Sequence, residues 1–160
     1  MSDSETFKAA MRCFPTGVAV VTTFLNGRPK GFTANALASV SVEPPMLLIC
    51  VNRASRSHSL ISNAGIFCVN LLSLEQQALA MSFANNRVKD SFANIPHHRE
   101  STGAPVFDDA LAFADCMVAQ EHSVGTHTIF IGTVQRSGTR PGIPLGYFNG
   151  TYRDFGCVIS

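Results

Sequence analysis

Apolar residues recur at helical spacing near the start of the chain, at Phe7, Ala10, Met11 and Phe14. The pattern predicts a helix over 6–14, stopped by Pro15-Thr16-Gly17. The pattern then turns to β structure. Residues 18–24 are rich in β-branched side chains, Asn26-Gly27 is a hairpin-turn signal, and 32–42 reads as the next strand region, pairing back. Pro44-Pro45 breaks that run, because proline donates nothing to a strand ladder. An apolar run over 46–51 predicts a short buried strand, 57–63 a short helix closed by Ala64-Gly65, and 66–72 another buried strand. Ser73-Leu74-Glu75-Gln76 has the capping-box spacing and opens a helix through about Phe83. Residues 85–105 are polar and irregular, a long connection of the kind that often carries function. Strands follow over 112–118 and 128–135, then a turn over 141–144 and a last strand over 145–155.

Many strands with few, short helices predict a mainly β fold, a closed or nearly closed antiparallel barrel. Strands and helices do not alternate regularly, and neither GxGxxG nor a P-loop is present, so a nucleotide bound here is not held by a Rossmann turn. No repeat or linker divides the 160 residues, and the expectation is one domain over 1–160.

Composition sharpens this picture. Only 14% of residues are charged while 46% are hydrophobic, a low charge for a monomer covering its whole surface, so part of the apolar surface is expected at a subunit interface. The net charge of +1, with both signs interspersed, gives no nucleic-acid footprint. No apolar run approaches the ~20 residues of a membrane span and no signal stretch opens the chain; no membrane and a cytoplasmic location are expected. The five cysteines, at 13, 50, 68, 116 and 157, lack CxxC spacing, which favours reduced thiols and argues against zinc or any other metal. Cys157-Val158-Ile159-Ser160 fits a prenylation box without the polybasic stretch that accompanies one, and Asn149-Gly150-Thr151 fits a glycosylation acceptor without a secretory signal; both are set aside.

The run Gly31 to Ser41 is poor in charge and rich in small donors and acceptors. Thr33, Ala34, Asn35 and Ser39, Val40, Ser41 are candidates to face a flat polar ring; the alternative is an ordinary strand with a polar outer face. Ser55-Arg56-Ser57-His58 heads a predicted helix, where backbone N–H groups and an arginine favour an anion such as a phosphate. Simple capping by Ser55 or Ser57 is compatible with that role. Phe83-Ala84-Asn85, with Arg87 beyond, reads on its own as a helix end. His127 follows Gly125-Thr126 at the start of a strand and can reach a carboxamide or phosphate. Tyr147 and Tyr152 either stack on a ligand or fill the barrel mouth. His58, His97, His98 and His122 read as surface residues.

Taken in order, these segments resemble the flavin reductase-like family, the small flavin-binding split barrels, and within it the short-chain reductases of two-component flavin monooxygenases. The likeness runs from about Phe14 to Phe155. It is carried by Phe14-Pro15-Thr16-Gly17-Val18, the Thr33 to Ser41 run, Pro44-Pro45, Asn52 to Ser57, Phe67 to Leu72, Phe83-Ala84, Gly125-Thr126-His127 and Tyr147 to Tyr152. Many relatives have Gly-Asp-His where this chain has Gly-Thr-His, and Gly-Thr-His looks like the branch containing the 4-hydroxyphenylacetate monooxygenase reductases. The resemblance implies a six-stranded antiparallel Greek-key split barrel, a homodimer, FMN or FAD, and NADH or NADPH as co-substrate. It assigns the flavin ring and phosphate to the segments holding Thr33, Ala34, Asn35, Ala36, Ser39, Val40 and Ser41, and Cys50, Val51, Asn52, Ser55, Arg56 and Ser57. Phe83, Ala84 and Arg87 would border the rest of the flavin, and His127 would serve the nicotinamide. The implied activity is NAD(P)H:flavin oxidoreduction, with reduced flavin passing to a flavin-dependent monooxygenase. The rivals are a flavin- or haem-binding sensor or carrier without turnover, and a pyridoxamine phosphate oxidase-like protein, which would need more basic residues than surround Arg56.

Overall fold

The computed structural model describes residues 3–85 and 92–156. Among these residues the helices are α1 (Ser4–Arg12), α2 (Arg56–Ala64) and α3 (Gln77–Ala84), the last preceded by a 3-10 turn at Leu74–Gln76. The strands are β1 (Thr16–Gly17), β2 (Ala19–Leu25), β3 (Arg28–Ala34), β4 (Leu37–Val42), β5 (Pro45–Asn52), β6 (Ile66–Leu71), β7 (His97–Arg99), β8 (Pro105–Phe107), β9 (Ala112–Val124), β10 (His127–Thr139), β11 (Leu145–Phe148) and β12 (Thr151–Asp154).

Seven strands form one sheet in the order β3-β2-β6-β9-β10-β5-β4, with every pairing antiparallel. Its two edge strands, β3 and β4, are consecutive in the chain and joined only by Asn35-Ala36. A link that short spans roughly 10 Å at about 3.3–3.6 Å per residue. The sheet must therefore curl until its edges meet at this link, while β3 and β4 do not pair with each other, which leaves the barrel split there. The resemblance implied six strands. The seventh arises because the single run expected over 32–42 breaks at Asn35-Ala36 into two strands. β5 and β6 lie on opposite sides of the β9–β10 hairpin, and α2 crosses between them.

The barrel interior holds Ala19, Val21, Ile49, Val51, Ile61 of α2, Phe67, Val69, Cys116 and Phe130. A second cluster, on the outer face of β2, joins Val18, Val20, Leu72, Ala80, Phe83, Phe107, Ala110 and Leu145. β2 is thus buried on both faces, which is why its sequence carries the consecutive Val20-Val21-Thr22-Thr23 rather than an apolar–polar alternation. Each large side chain fully buried here, such as Phe67 or Phe130, contributes about 1.5–3 kcal/mol. By contrast, α1 buries none of its residues: Phe7 remains 60% exposed, and Phe14 just beyond its end 63%, so the stripe that predicted this helix meets no core of its own chain. Asp3 caps α1, accepting from the Glu5 and Thr6 N–H groups.

Two expectations need correction. The connection over 85–105 is not wholly irregular, for β7 and β8 pair at 97–107. A buried polar network docks this ladder on the barrel. Asn70 donates its amide to Val20 O and Thr22 Oγ1 and accepts from the Phe107 N–H, while Thr22 Oγ1 donates to Pro105 O. Buried Asp115 accepts from the Thr102 N–H and hydroxyl. The last strand expected over 145–155 is instead a hairpin, β11 and β12, turned at Asn149-Gly150 with φ of 49° and 79°. Positive φ at both central residues is what a tight hairpin turn of this hand requires, and Asn-Gly supplies it. β1 joins this hairpin in a separate three-stranded sheet. Among the described residues no helix is long and apolar enough to cross a membrane.

Candidate functional site

A cleft of about 330 Å³ opens where the barrel is split. Five pieces of chain meet there: the end of β3 through the link (Phe32, Thr33, Ala34, Asn35, Ala36), the end of β5 (Cys50, Val51, Asn52), the start of α2 (Ser55, Ser57), the end of α3 (Phe83, Ala84), and His127 at the start of β10. The link is pinned by its backbone, since Ala36 C=O accepts from the Cys50 N–H at 2.9 Å. The Asn35 amide donates to Thr16 Oγ1. Ala34 and Ala36 are small, so a planar ligand can approach the backbone closely. A hollow of about 460 Å³ lies on the other side of the same link. Met11, Phe14, Pro15 and Leu37 make it mostly apolar, with few groups that could orient a ligand.

The start of α2 is built by Asn52 and Ser55. Asn52 Oδ1 accepts from the Ala54 N–H at 2.8 Å, and its carbonyl accepts from the Ser55 N–H and hydroxyl. Ser55 Oγ in turn accepts from the His58 N–H, the capping that the sequence suggested. The Arg56 and Ser57 N–H groups precede the helical ladder and remain available to an anion at the cleft. The Arg56 side chain is exposed and does not line the cleft.

His127 lies opposite Asn52 across the β10–β5 ladder, is exposed, and has Nδ1 2.9 Å from Thr126 Oγ1. The Gly125-Thr126 turn before it is fastened to the end of β5. The Arg53 N–H donates to Thr126 O at 2.9 Å, and the Arg53 guanidinium to Gly125 O. His58 is not the surface residue expected. It is half-buried, its Nε2 lies 2.8 Å from Thr128 Oγ1, and its ring packs on Phe130, which ties α2 to β10.

Of the residues singled out from sequence, Thr33, Ala34, Asn35, Ala36, Cys50, Val51, Asn52, Ser55, Ser57, Phe83, Ala84 and His127 come together in the cleft. Ser39, Val40 and Ser41 do not line it; they lie along edge strand β4, with Val40 as the extra residue of a bulge between Ser39 and Ser41. Tyr147 and Tyr152 face each other across the β11–β12 ladder, ring centroids 5.6 Å apart, and pack against the second core cluster. Burial and the neighbouring Tyr147 push the Tyr152 hydroxyl pKa up. Arg87 and Cys157 lie outside the described residues. Sequence reasoning did not single out Phe32, which lies within the Gly31 to Ser41 run and lines the cleft, or Arg53, which lies within the Asn52 to Ser57 segment and fastens the turn before His127.

Burial raises the pKa of the Cys50 thiol, which lowers its thiolate fraction near neutral pH and makes it a weak nucleophile. Cys50 should therefore react with a maleimide more slowly than exposed Cys13 at pH 7, and its rate should keep rising with pH through and beyond the ordinary thiol range. Saturating FMN should slow it further. Peptide mass spectrometry reads both; labelling of Cys50 as fast as Cys13, or indifferent to FMN, would contradict this placement.

The comparisons with known proteins agree with the geometry. The flavin reductase like domain matches residues 11–156. A flavin reductase (NADH) of Kitasatospora aureofaciens is 41% identical over 94% of this chain and 81% of its own length. The reductase subunit HsaB of a flavin-dependent monooxygenase from Mycobacterium tuberculosis is 35% identical over 94% of this chain and 81% of its own. The structure of an NADH:FAD oxidoreductase from Streptomyces globisporus, in complex with NAD and FAD fragments, superposes with a TM-score of 0.89 at 33% identity, covering 96% of this chain and 93% of that one. A match spanning nearly the whole chain, in sequence and in fold, places it: this protein belongs to the flavin reductase-like family.

Proposed function

We propose that this chain works as a single flavin reductase-like domain over 1–160, an NAD(P)H:flavin oxidoreductase that reduces FMN or FAD and hands the reduced flavin to a flavin-dependent monooxygenase. The observation that carries this is the cleft at the split, where small uncharged groups, a capped helix start and a histidine converge without an acid–base pair or a nucleophile. The nicotinamide and flavin rings supply hydride donor and acceptor themselves, so the protein's task is to stack and orient them. The Ala34-Asn35-Ala36 backbone offers a flat polar wall for the flavin ring. The Arg56 and Ser57 N–H groups, with the Arg56 guanidinium swinging in from solvent, would hold its phosphate. His127 stands over the cleft's edge to orient the nicotinamide.

Assembly as a homodimer is part of this reading. On β10, Thr128, Phe130 and Gly132 are buried, while Ile129 and Ile131 point to the opposite face and remain half-buried. Leu48 of β5 lies opposite Ile131, and Cys50, which lines the cleft, lies opposite Ile129. None of Leu48, Ile129 and Ile131 joins a core cluster of its own chain. This apolar sheet face adjoins the cleft, so a second copy packed on it would close the cleft's open side. A cytosolic location accords with the four free cysteines among the described residues.

Steady-state NADH and NADPH oxidation with added FMN, FAD or riboflavin tests the activity. Saturable turnover well above the rate of free flavin alone is expected. A spectrum showing bound flavin or haem with no pyridine-nucleotide oxidation would point instead to a carrier or sensor.

A further inference from the structure

We propose that Gly31 and Thr33 are positioning residues, forming a seat on β3 that fixes where α3 walls the cleft and thereby sets the affinity for flavin; this rests on the cleft being the flavin site. The two lie two positions apart on one strand, so both face the same side of the sheet, opposite Thr22 and Val20 in the β2–β3 ladder. That side carries α3. Thr33 Oγ1 donates to Ala80 O of α3 at 2.6 Å. The hydroxyl proton of Thr33 is therefore engaged by the helix, and Thr33 acts through α3 rather than as a side-chain donor to a ligand. Ala80 and Phe83 are both buried, and Phe83 with the next residue, Ala84, lines the cleft.

Gly31 completes the seat by having no side chain. A Cβ there would stand 3.0 Å and 3.2 Å from Phe83 ring carbons and 3.1 Å from Val21 O. The ring cannot retreat. Phe92 packs edge-on against it with centroids 5.1 Å apart, and Phe107 lies at 5.6 Å. Close-packed neighbours leave the cleft as the open direction, so a methyl group at position 31 pushes the Phe83 ring a few tenths of an ångström toward the space a flavin would use.

The test is steady-state kinetics of the full chain with FMN and NADH, with Tm measured for every variant. Gly31→Ala should raise the flavin KM about tenfold, within the range of an overpacking penalty, and leave the NADH KM unchanged. On a Phe83→Leu background the same Gly31→Ala change should have almost no further effect, because the smaller side chain leaves room for the methyl; this is a double-mutant cycle with a large coupling. Thr33→Val should also raise the flavin KM, since Ala80 loses its hydroxyl partner, and Thr33→Ser should restore it. An unmoved flavin KM in Gly31→Ala, an equal change in both KM values, or a full Gly31→Ala effect on the Phe83→Leu background would overturn the seat while the flavin reading stands. Wild-type protein that neither binds nor reduces FMN would overturn the flavin reading and the seat with it.

Discussion

Ile131→Asp should convert the proposed dimer into species of about 17 kDa and weaken flavin binding in the same step. Ile131 and Leu48 occupy paired positions on the outer face of the barrel, on a chain with only 14% charged residues. A symmetric interface repeats each substitution, so one change places a carboxylate from each copy in the same apolar contact. Desolvating an unpaired ion costs several kcal/mol, and about 4 kcal/mol already raises a dimer dissociation constant roughly a thousandfold. Inside one subunit the same carboxylate sits on a half-exposed face and remains hydrated, so the monomer should keep its fold and most of its Tm. Light scattering across a concentration series reads the mass, and circular dichroism the fold. A variant with the wild-type dimer mass, or wild-type protein that is already monomeric, would remove this face from the assembly. Because the face adjoins the cleft through Cys50, flavin affinity should fall along with the mass.

How much of this was legible in the sequence depends on whether the signal was local. β2 was legible because a strand buried on both faces lacks the apolar–polar alternation, here as the consecutive β-branched Val20-Val21-Thr22-Thr23. The start of α2 was legible because Ser55 caps within its own turn. Other features depend on partners far along the chain. Asn35-Ala36 continues the small-residue pattern of its neighbours, and the break there follows from the two barrel edges meeting at that link, a constraint that no short window contains. The β7–β8 ladder is fixed by Asn70 and Thr22, more than thirty residues away. His58 became structural only when β10 brought Thr128 to it. Asn149-Gly150 is a different case. Its signal was local and identical to that of Asn26-Gly27, but it was read as a modification motif rather than a turn. Twelve of the cleft residues were found from sequence because the small polar run and the capped helix are contiguous segments. Thr33 was singled out as a candidate to face a planar ring, and it lines the cleft; its bond to Ala80 O was not legible, since the alternation could not show which side of β3 carries α3.

The remaining large effect is expected at His127. His127→Ala should lower kcat/KM for NADH by roughly 10- to 100-fold while flavin affinity stays near wild type, because the groups proposed to hold the flavin belong to the link and α2. A histidine next to a glycine turn could instead serve only to hold the turn, and the structure separates the two roles. The turn is fixed without the ring, by the positive φ of 55° at Gly125, the Arg53 N–H bond to Thr126 O, and the β10–β5 ladder. The imidazole is exposed and lies near the Thr126 hydroxyl, so its removal should leave Tm nearly unchanged. The direction of the Thr126–Nδ1 bond depends on the ring tautomer. In the tautomer in which Thr126 donates, the ring's own proton sits on Nε2, the nitrogen left to donate to a carboxamide or phosphate oxygen, and this is the arrangement that would serve a nicotinamide. Thr126→Val removes that arrangement without removing the ring and should produce a smaller loss in the same parameter. Stopped-flow reduction of bound flavin by NADH measures the step directly. Wild-type saturation and a wild-type rate in His127→Ala would refute the role in orienting the nicotinamide, and a large drop in Tm with ordinary kinetics would assign the histidine to the turn instead.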